Sequence, residues 1–259
     1  MTEKNTKDKK PADIEWCLQK YFGGTGDEWK DYSKRADNDK SKRYASFDYC
    51  YNYFSRFKGN PEDLKAPENM EMSCLQLGFY LASWGMLRGS SFMLQISAMG
   101  YKNIIKLIAG GPNELWEIDV DNYDEASVKL LISFRDKLTE TLIDQSSLAG
   151  VSGTVTPSDT LTSKIMLGVF GNVPAYDTFF VNWIKSVPEI KPQIFNEKSL
   201  LSIKKYYDEN LKESMQAIMI KTIDFTDELP SNIHYKQAKL VDIYGFTKGG
   251  GIEKPESHT

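Results

Sequence analysis

Two short stretches hold the side chains best suited to chemistry. In the run from Thr160 to Thr178, Lys164 lies at the front of one helix and Asp177 near the start of the next, with Gly171-Asn172-Val173-Pro174 between them. That turn folds the two charges toward one another, so an amine and a carboxylate would line one pocket. The plainer alternative is that Asp177 caps backbone amides while Lys164 is a surface cation. In the second stretch, Leu77 to Ser91, Trp84 and Arg88 are four residues apart, so on a helix the guanidinium can lie over the indole ring. A lone Arg in so apolar a segment must find an anion, a carbonyl cluster or a carboxylate, because burying it unpaired costs several kcal/mol. One reading makes Arg88, with Ser90 and Ser91 at a helix start, a pocket for phosphate or carboxylate. The other pairs Arg88 with a structural Asp or a helix end.

Several chemistries lack parts. The only histidines are His234 and His258, so a His and Cys zinc site or a His-based triad cannot be assembled. His234 reads as an ordinary helix residue. No metal site is expected: Asp37, Asp39 and Ser41 begin like a calcium loop, but Lys42 stands where Gly is required. The acids Glu117, Asp119, Asp121, Asp124 and Glu125 read as loop and cap residues rather than cation ligands. Gly23-Gly24-Thr25-Gly26 lacks the Lys-Ser or Lys-Thr of a phosphate loop and reads as a helix stop, and no cofactor motif stands out.

The elements that must position these residues are helical. Ile14, Cys17, Leu18 and Tyr21 repeat at helical spacing over Ala12 to Phe22, and Tyr44, Phe47, Tyr51 and Phe54 do so before Gly59-Asn60-Pro61. The low-charge segment from Met72 to Tyr101 carries only Arg88 and is broken by Gly85 and Gly89, which predicts two consecutive core helices rather than a membrane span. A further helix runs from Tyr101 to Gly110. Leu115 to Val120 alternates and reads as one short strand. Asp121 caps a helix over 123–143, Thr156-Pro157-Ser158-Asp159 opens the one that carries Lys164, with Thr156 as cap and Pro157 in the first helical position, and Gly171 closes it. Helices over Glu197 to Ile220 and Asn232 to Gly245 complete the set. The fold class is thus mainly α, a multi-helix globular array with at most one short strand. Residues 1–11 and 248–259 read as disordered tails around a helical domain at 12–247, taken as one body or as two lobes, 12–143 and 156–247.

At 259 residues, with 41% hydrophobic and 26% charged residues, the chain can bury a large core. A net charge of −4 argues against a dedicated nucleic-acid coat and leaves room only for a local basic patch. Cys17, Cys50 and Cys74 form no CxxC pair and read as reduced, buried thiols, which together with the polar N-terminus predicts a cytoplasmic location.

Ser163-Lys164, the helix end at Phe170-Gly171 and Pro174-Ala175-Tyr176-Asp177-Thr178 resemble the catalytic region of helix-hairpin-helix DNA glycosylases. The resemblance implies DNA binding, with Lys164 matching the family's nucleophile and Asp177 the residue that stabilises the developing sugar cation. It covers about residues 156 to 181, without the glycine-rich hairpin and with Phe179 where many members have His. The stretches around Trp84 and Arg88, and Val169 to Asp177, also resemble an uncharacterised family of bacterial proteins, which implies no activity. On the first likeness the expected partner is nucleic acid or a nucleotide, with a base received by aromatic side chains including Tyr176. Lys102, Lys106, Lys185, Lys191, Lys198, Lys204 and Lys205 would form the basic face. The competing expectation is a non-enzymatic helical module that holds a small anionic ligand or a protein partner through Trp84 and Arg88.

Overall fold

The computed structural model describes residues 13–23, 30, 40–89 and 91–252. Its helices are α1 (Ile14–Phe22), α2 (Ala45–Ser55), α3 (Pro67–Ser83), α4 (Lys102–Ala109), α5 (Glu125–Leu148), α6 (Asp159–Phe170), α7 (Thr178–Ser186), α8 (Glu197–Tyr206), α9 (Lys212–Gln216) and α10 (Gln237–Lys248). Short 3-10 turns join several of them, and a π turn over Tyr207–Leu211 links α8 to α9. The fold is mainly α, as the periodicities predict. No described helix is long and apolar enough to cross a membrane.

One apolar cluster takes residues from Ile14 to Phe246, drawing on both halves of the chain. Helix α10 packs along α7 and on its other side against α1, while α6 is sandwiched between α2, α3 and α5. The α7 to α10 approach is close because position 245 has no side chain: a Cβ there would lie 2.5 Å from both Phe180 and Trp183. All three cysteines are buried and free.

Several boundaries differ from the sequence reading. The strand expected at 115–120 is replaced by 3-10 turns at Asn113–Trp116 and Val120–Asn122. The Asp119 carboxylate accepts from the amides of Val120, Gln237 and Ala238, which fixes the segment as a turn. The small sheet is elsewhere, an antiparallel pair of β1 (Lys221–Ile223) and β2 (Pro230–His234). It is tied to α2 by Asn52 Nδ2 donating to Ile223 O at 2.8 Å and Ile223 N donating to Asp48 at 2.9 Å. His234 accordingly lies exposed on a strand, not on a helix. Asp124, rather than Asp121, caps α5 through a capping box with Ser127. Finally, α3 stops at Ser83, and the two helices expected across 72–101 become one helix followed by 3-10 turns, because Gly85 and Gly89 adopt φ of 74° and 60°.

The expected N-terminal tail, residues 1–11, and most of the expected C-terminal one lie outside the described residues. Of the latter, Lys248 ends α10.

Candidate functional site

Lys164 lies on the inward face of α6, with Ser158 as N-cap: its hydroxyl accepts from Leu161 N at 3.2 Å. Gly171 ends the helix in the left-handed conformation, φ 64°, which turns the chain back along α6. The returning segment is clamped at Tyr176, whose backbone amide donates to Ser163 Oγ at 2.8 Å and whose carbonyl accepts from Thr160 Oγ1 at 2.8 Å. Those two bonds leave the next residue, Asp177, facing Lys164. The pair is 3.6 Å apart, with the lysine side chain 6% and the aspartate side chain 13% exposed.

Asp177 does two jobs, since one carboxylate oxygen also accepts from the amides of Phe179 and Phe180 at 3.1 and 3.0 Å and so caps α7. The capping role anticipated in the plainer reading is therefore present, but Lys164 is buried rather than a surface cation. Its ammonium donates to Trp84 O at 3.2 Å, a carbonyl at the C-terminal end of α3 where the helix dipole favours a cation. Burial lowers the Lys164 pKa from its ordinary value, while Asp177 and Asp242 pull it back up and Lys239 pushes it down. Burial likewise raises the Asp177 carboxyl, against the opposing pull of Lys164 and its two amide donors.

The Trp84 region meets this pair. A cavity of about 190 Å³ is lined by Lys164, Asp177, Trp84, Arg88, Arg43 and Phe246, among others. The two stretches singled out in the sequence thus converge on one pocket, although they lie far apart in the chain. Trp84 is the hub: Lys164 and Lys239 each stand 5.4 Å from its ring centre and Arg43 stands 5.9 Å away. Tyr44 and Phe246 pack against the indole at 5.4 and 6.2 Å. Its Nε1 has no hydrogen-bond partner.

Arg88 is placed differently from the expectation. Because α3 ends at Ser83, the i,i+4 geometry needed to lay Arg88 over Trp84 does not exist, and the exposed guanidinium lies against Gly85 instead. Among the described residues Arg88 has no carboxylate partner, so the buried structural ion pair is also not formed. Ser90 lies outside the described residues. Ser91 caps a four-residue 3-10 turn, accepting from Met93 N at 3.3 Å. Tyr176 does not line the pocket: it is buried, stacked on Phe195, and its hydroxyl is hydrogen-bonded to Ser199.

Behind the pocket lies a second pair, Lys239 and Asp242, one helical turn apart on α10 and 2.8 Å from each other. The Lys239 ammonium sits 4.4 Å from the centre of the Phe47 ring, and Asp242 accepts from Ala175 N at 2.9 Å. These residues, with Arg43, Phe246 and the clamp residues Thr160 and Ser163, were missed in the sequence. Lys239 and Asp242 were detectable, being charges inside the otherwise apolar run from Ala238 to Phe246, the same signal that drew attention to Arg88.

Of the expected basic face, none of Lys102, Lys106, Lys185, Lys191, Lys198, Lys204 and Lys205 lines the cavity. No group of three or more His, Cys, Asp or Glu able to hold a metal occurs among the described residues, and the Asp121 carboxylate accepts from Tyr207 instead. No family model, curated protein or solved structure matches the chain.

Proposed function

We propose that the chain binds a small anionic ligand carrying a flat ring, of the nucleotide class, in the cavity between α3, α6 and α7. The observation that carries this reading is the charge and shape of one pocket: Lys164 and Asp177 at its wall, Trp84 and Phe246 as aromatic lining, and Arg43 and Arg88 as cations beyond those the carboxylate balances. An ammonium beside a carboxylate offers one donor and one acceptor side, which suits the edge of a base. The exposed Arg88 guanidinium suits a phosphate, which it can hold in a bidentate fork. A polymer would need a row of cations along the surface. With only Arg43 and Arg88 at hand, the geometry favours a free nucleotide over a nucleic-acid strand, and over the protein partner considered for the same region.

A second reading gives Lys164 and Asp177 catalytic work on the bond between base and sugar, as the resemblance to the glycosylases implies. It is supported by a lysine whose pKa burial lowers, held beside a carboxylate and a cavity. Release of free base from a nucleoside substrate, abolished in Lys164→Met, would separate catalysis from binding alone.

The binding reading is tested by thermal unfolding with AMP, GMP, CMP and UMP. A matching mononucleotide at about a hundred times its Kd should raise the Tm by about 5 °C, and Arg88→Ala should remove most of that rise. If none of the four moves the transition of the wild-type chain, the proposal is wrong.

A further inference from the structure

Beyond the inner pocket the surface opens into a larger trough of about 660 Å³, bounded by the turn after α3 and the segment that leads into α6. The two spaces share Arg88, Thr160 and Thr178 as common wall, so they adjoin at Arg88. The linings differ in kind. The inner pocket carries charged side chains of both signs, whereas among the described residues the trough has Arg88 as its one charged residue and no carboxylate. What lines it instead is neutral and polar. Gln95, Ser152, Thr154, Thr156 and Thr178 all border the trough, and their side chains make no hydrogen bond to other described residues. Between them lie apolar surfaces from Met86, Phe92, Val151 and Val155.

Uncharged hydroxyl and amide groups that both donate and accept, alternating with apolar patches, match a sugar ring, which presents hydroxyls at its rim and C–H faces between them. A ring held in the inner pocket places its phosphates at Arg88, and whatever the phosphates carry then enters the trough. We infer that the ligand is a nucleoside diphosphate joined to a neutral sugar, the base in the inner pocket, the diphosphate at Arg88 and the sugar among the trough hydroxyls. The inference rests on the nucleotide reading and adds the chemical class of the distal group.

Titration calorimetry on the full chain with three families of probes tests it: UDP, UDP-glucose and UTP; ADP, ADP-glucose and ATP; GDP, GDP-mannose and GTP. In the family whose base is accepted, the sugar conjugate should bind about tenfold more tightly than the bare diphosphate, the gain from a few net hydrogen bonds. In Thr154→Val/Thr156→Val, two exposed positions, the ratio of the two affinities should fall to about one. Equal affinities for conjugate and diphosphate in the wild-type chain overturn the sugar assignment and leave the nucleotide reading standing. A triphosphate that outbinds the conjugate overturns it too, because the trough would then be reading charge. Absence of binding by all nine probes overturns the sugar-conjugate assignment, and the mononucleotide series decides the nucleotide reading by itself.

Discussion

The molecule holds two lysine and aspartate pairs within the same aromatic neighbourhood, and they are built for different ends. Lys239 and Asp242 lie one turn apart on a single helix, 2.8 Å from each other, with side-chain exposures of 1% and 10%. The carboxylate's second oxygen takes the Ala175 amide, and Phe47 covers the ammonium. Neither charge lines the cavity beside Trp84. Lys164 and Asp177 come from two helices, stand 3.6 Å apart, and border an open cavity. With its ammonium 3.6 Å from Asp177 and hydrogen-bonded to Trp84 O, Lys164 keeps a donor for something else in the cavity. The same residue types therefore serve as cement in one place and as a site in the other, and the difference is whether they border the cavity.

The comparison is broken most sharply by removing one carboxylate at a time. Asp242→Ala leaves Lys239 buried and unpaired and orphans the Ala175 amide, so urea unfolding should show a loss of about 3–5 kcal/mol. Asp177→Asn should cost less than about 1 kcal/mol, because Asn caps a helix as well as Asp and Lys164 keeps its carbonyl and access to cavity water. Equal losses at the two positions would mean that both pairs are structural.

A smaller effect is expected from the packing behind the closed pair. In Gly245→Ala the new methyl meets Phe180 and Trp183 at 2.5 Å and must push α10 from α7, at a cost of about 1–3 kcal/mol in the same assay. A loss near zero would show that this interface is loose enough to breathe, and that the closed pair is less rigidly held than its geometry says.

The smallest effect sharpens the comparison without altering stability. Lys164 borders the cavity and its pKa is lowered by burial, so a larger share of it is free amine near neutral pH than of an ordinary surface lysine. Acetylation followed by peptide mass spectrometry should find Lys164 modified and Lys239 untouched. As pH rises, the Lys164 rate should reach half its plateau below the ordinary lysine value of 10.5, since deprotonation comes earlier. A plateau reached only with the exposed lysines, or equal labelling of both buried lysines, would contradict the assigned difference.

Much of the framework was legible in the residue order. The stripe Ile14, Cys17, Leu18 and Tyr21 and the αL glycine at 171 are local signals that the structure follows, because helix periodicity and capping act within a few residues, whereas the cap of α6 is Ser158 rather than Thr156. The turn that brings Lys164 and Asp177 together was legible for the same reason, being set by a glycine and a proline between two helices. Where sequence reading failed, either a distant group decided or a glycine broke the helix. Leu115 to Val120 alternates like a strand, yet Asp119 is captured by the start of α10, more than a hundred residues later. Trp84 and Arg88 have helical spacing, but Gly85 takes a positive φ and parts them. Residue types and local spacing fixed the helices, the buried thiols and the meeting of one amine with one carboxylate. Only the tertiary structure decided that Trp84 is the surface both cations meet, that Arg88 faces outward, and that Lys239 is sealed while Lys164 borders a cavity. Those outcomes depend on which helix ends come to lie side by side, and that is settled by the packing of the whole core rather than by any stretch of the chain.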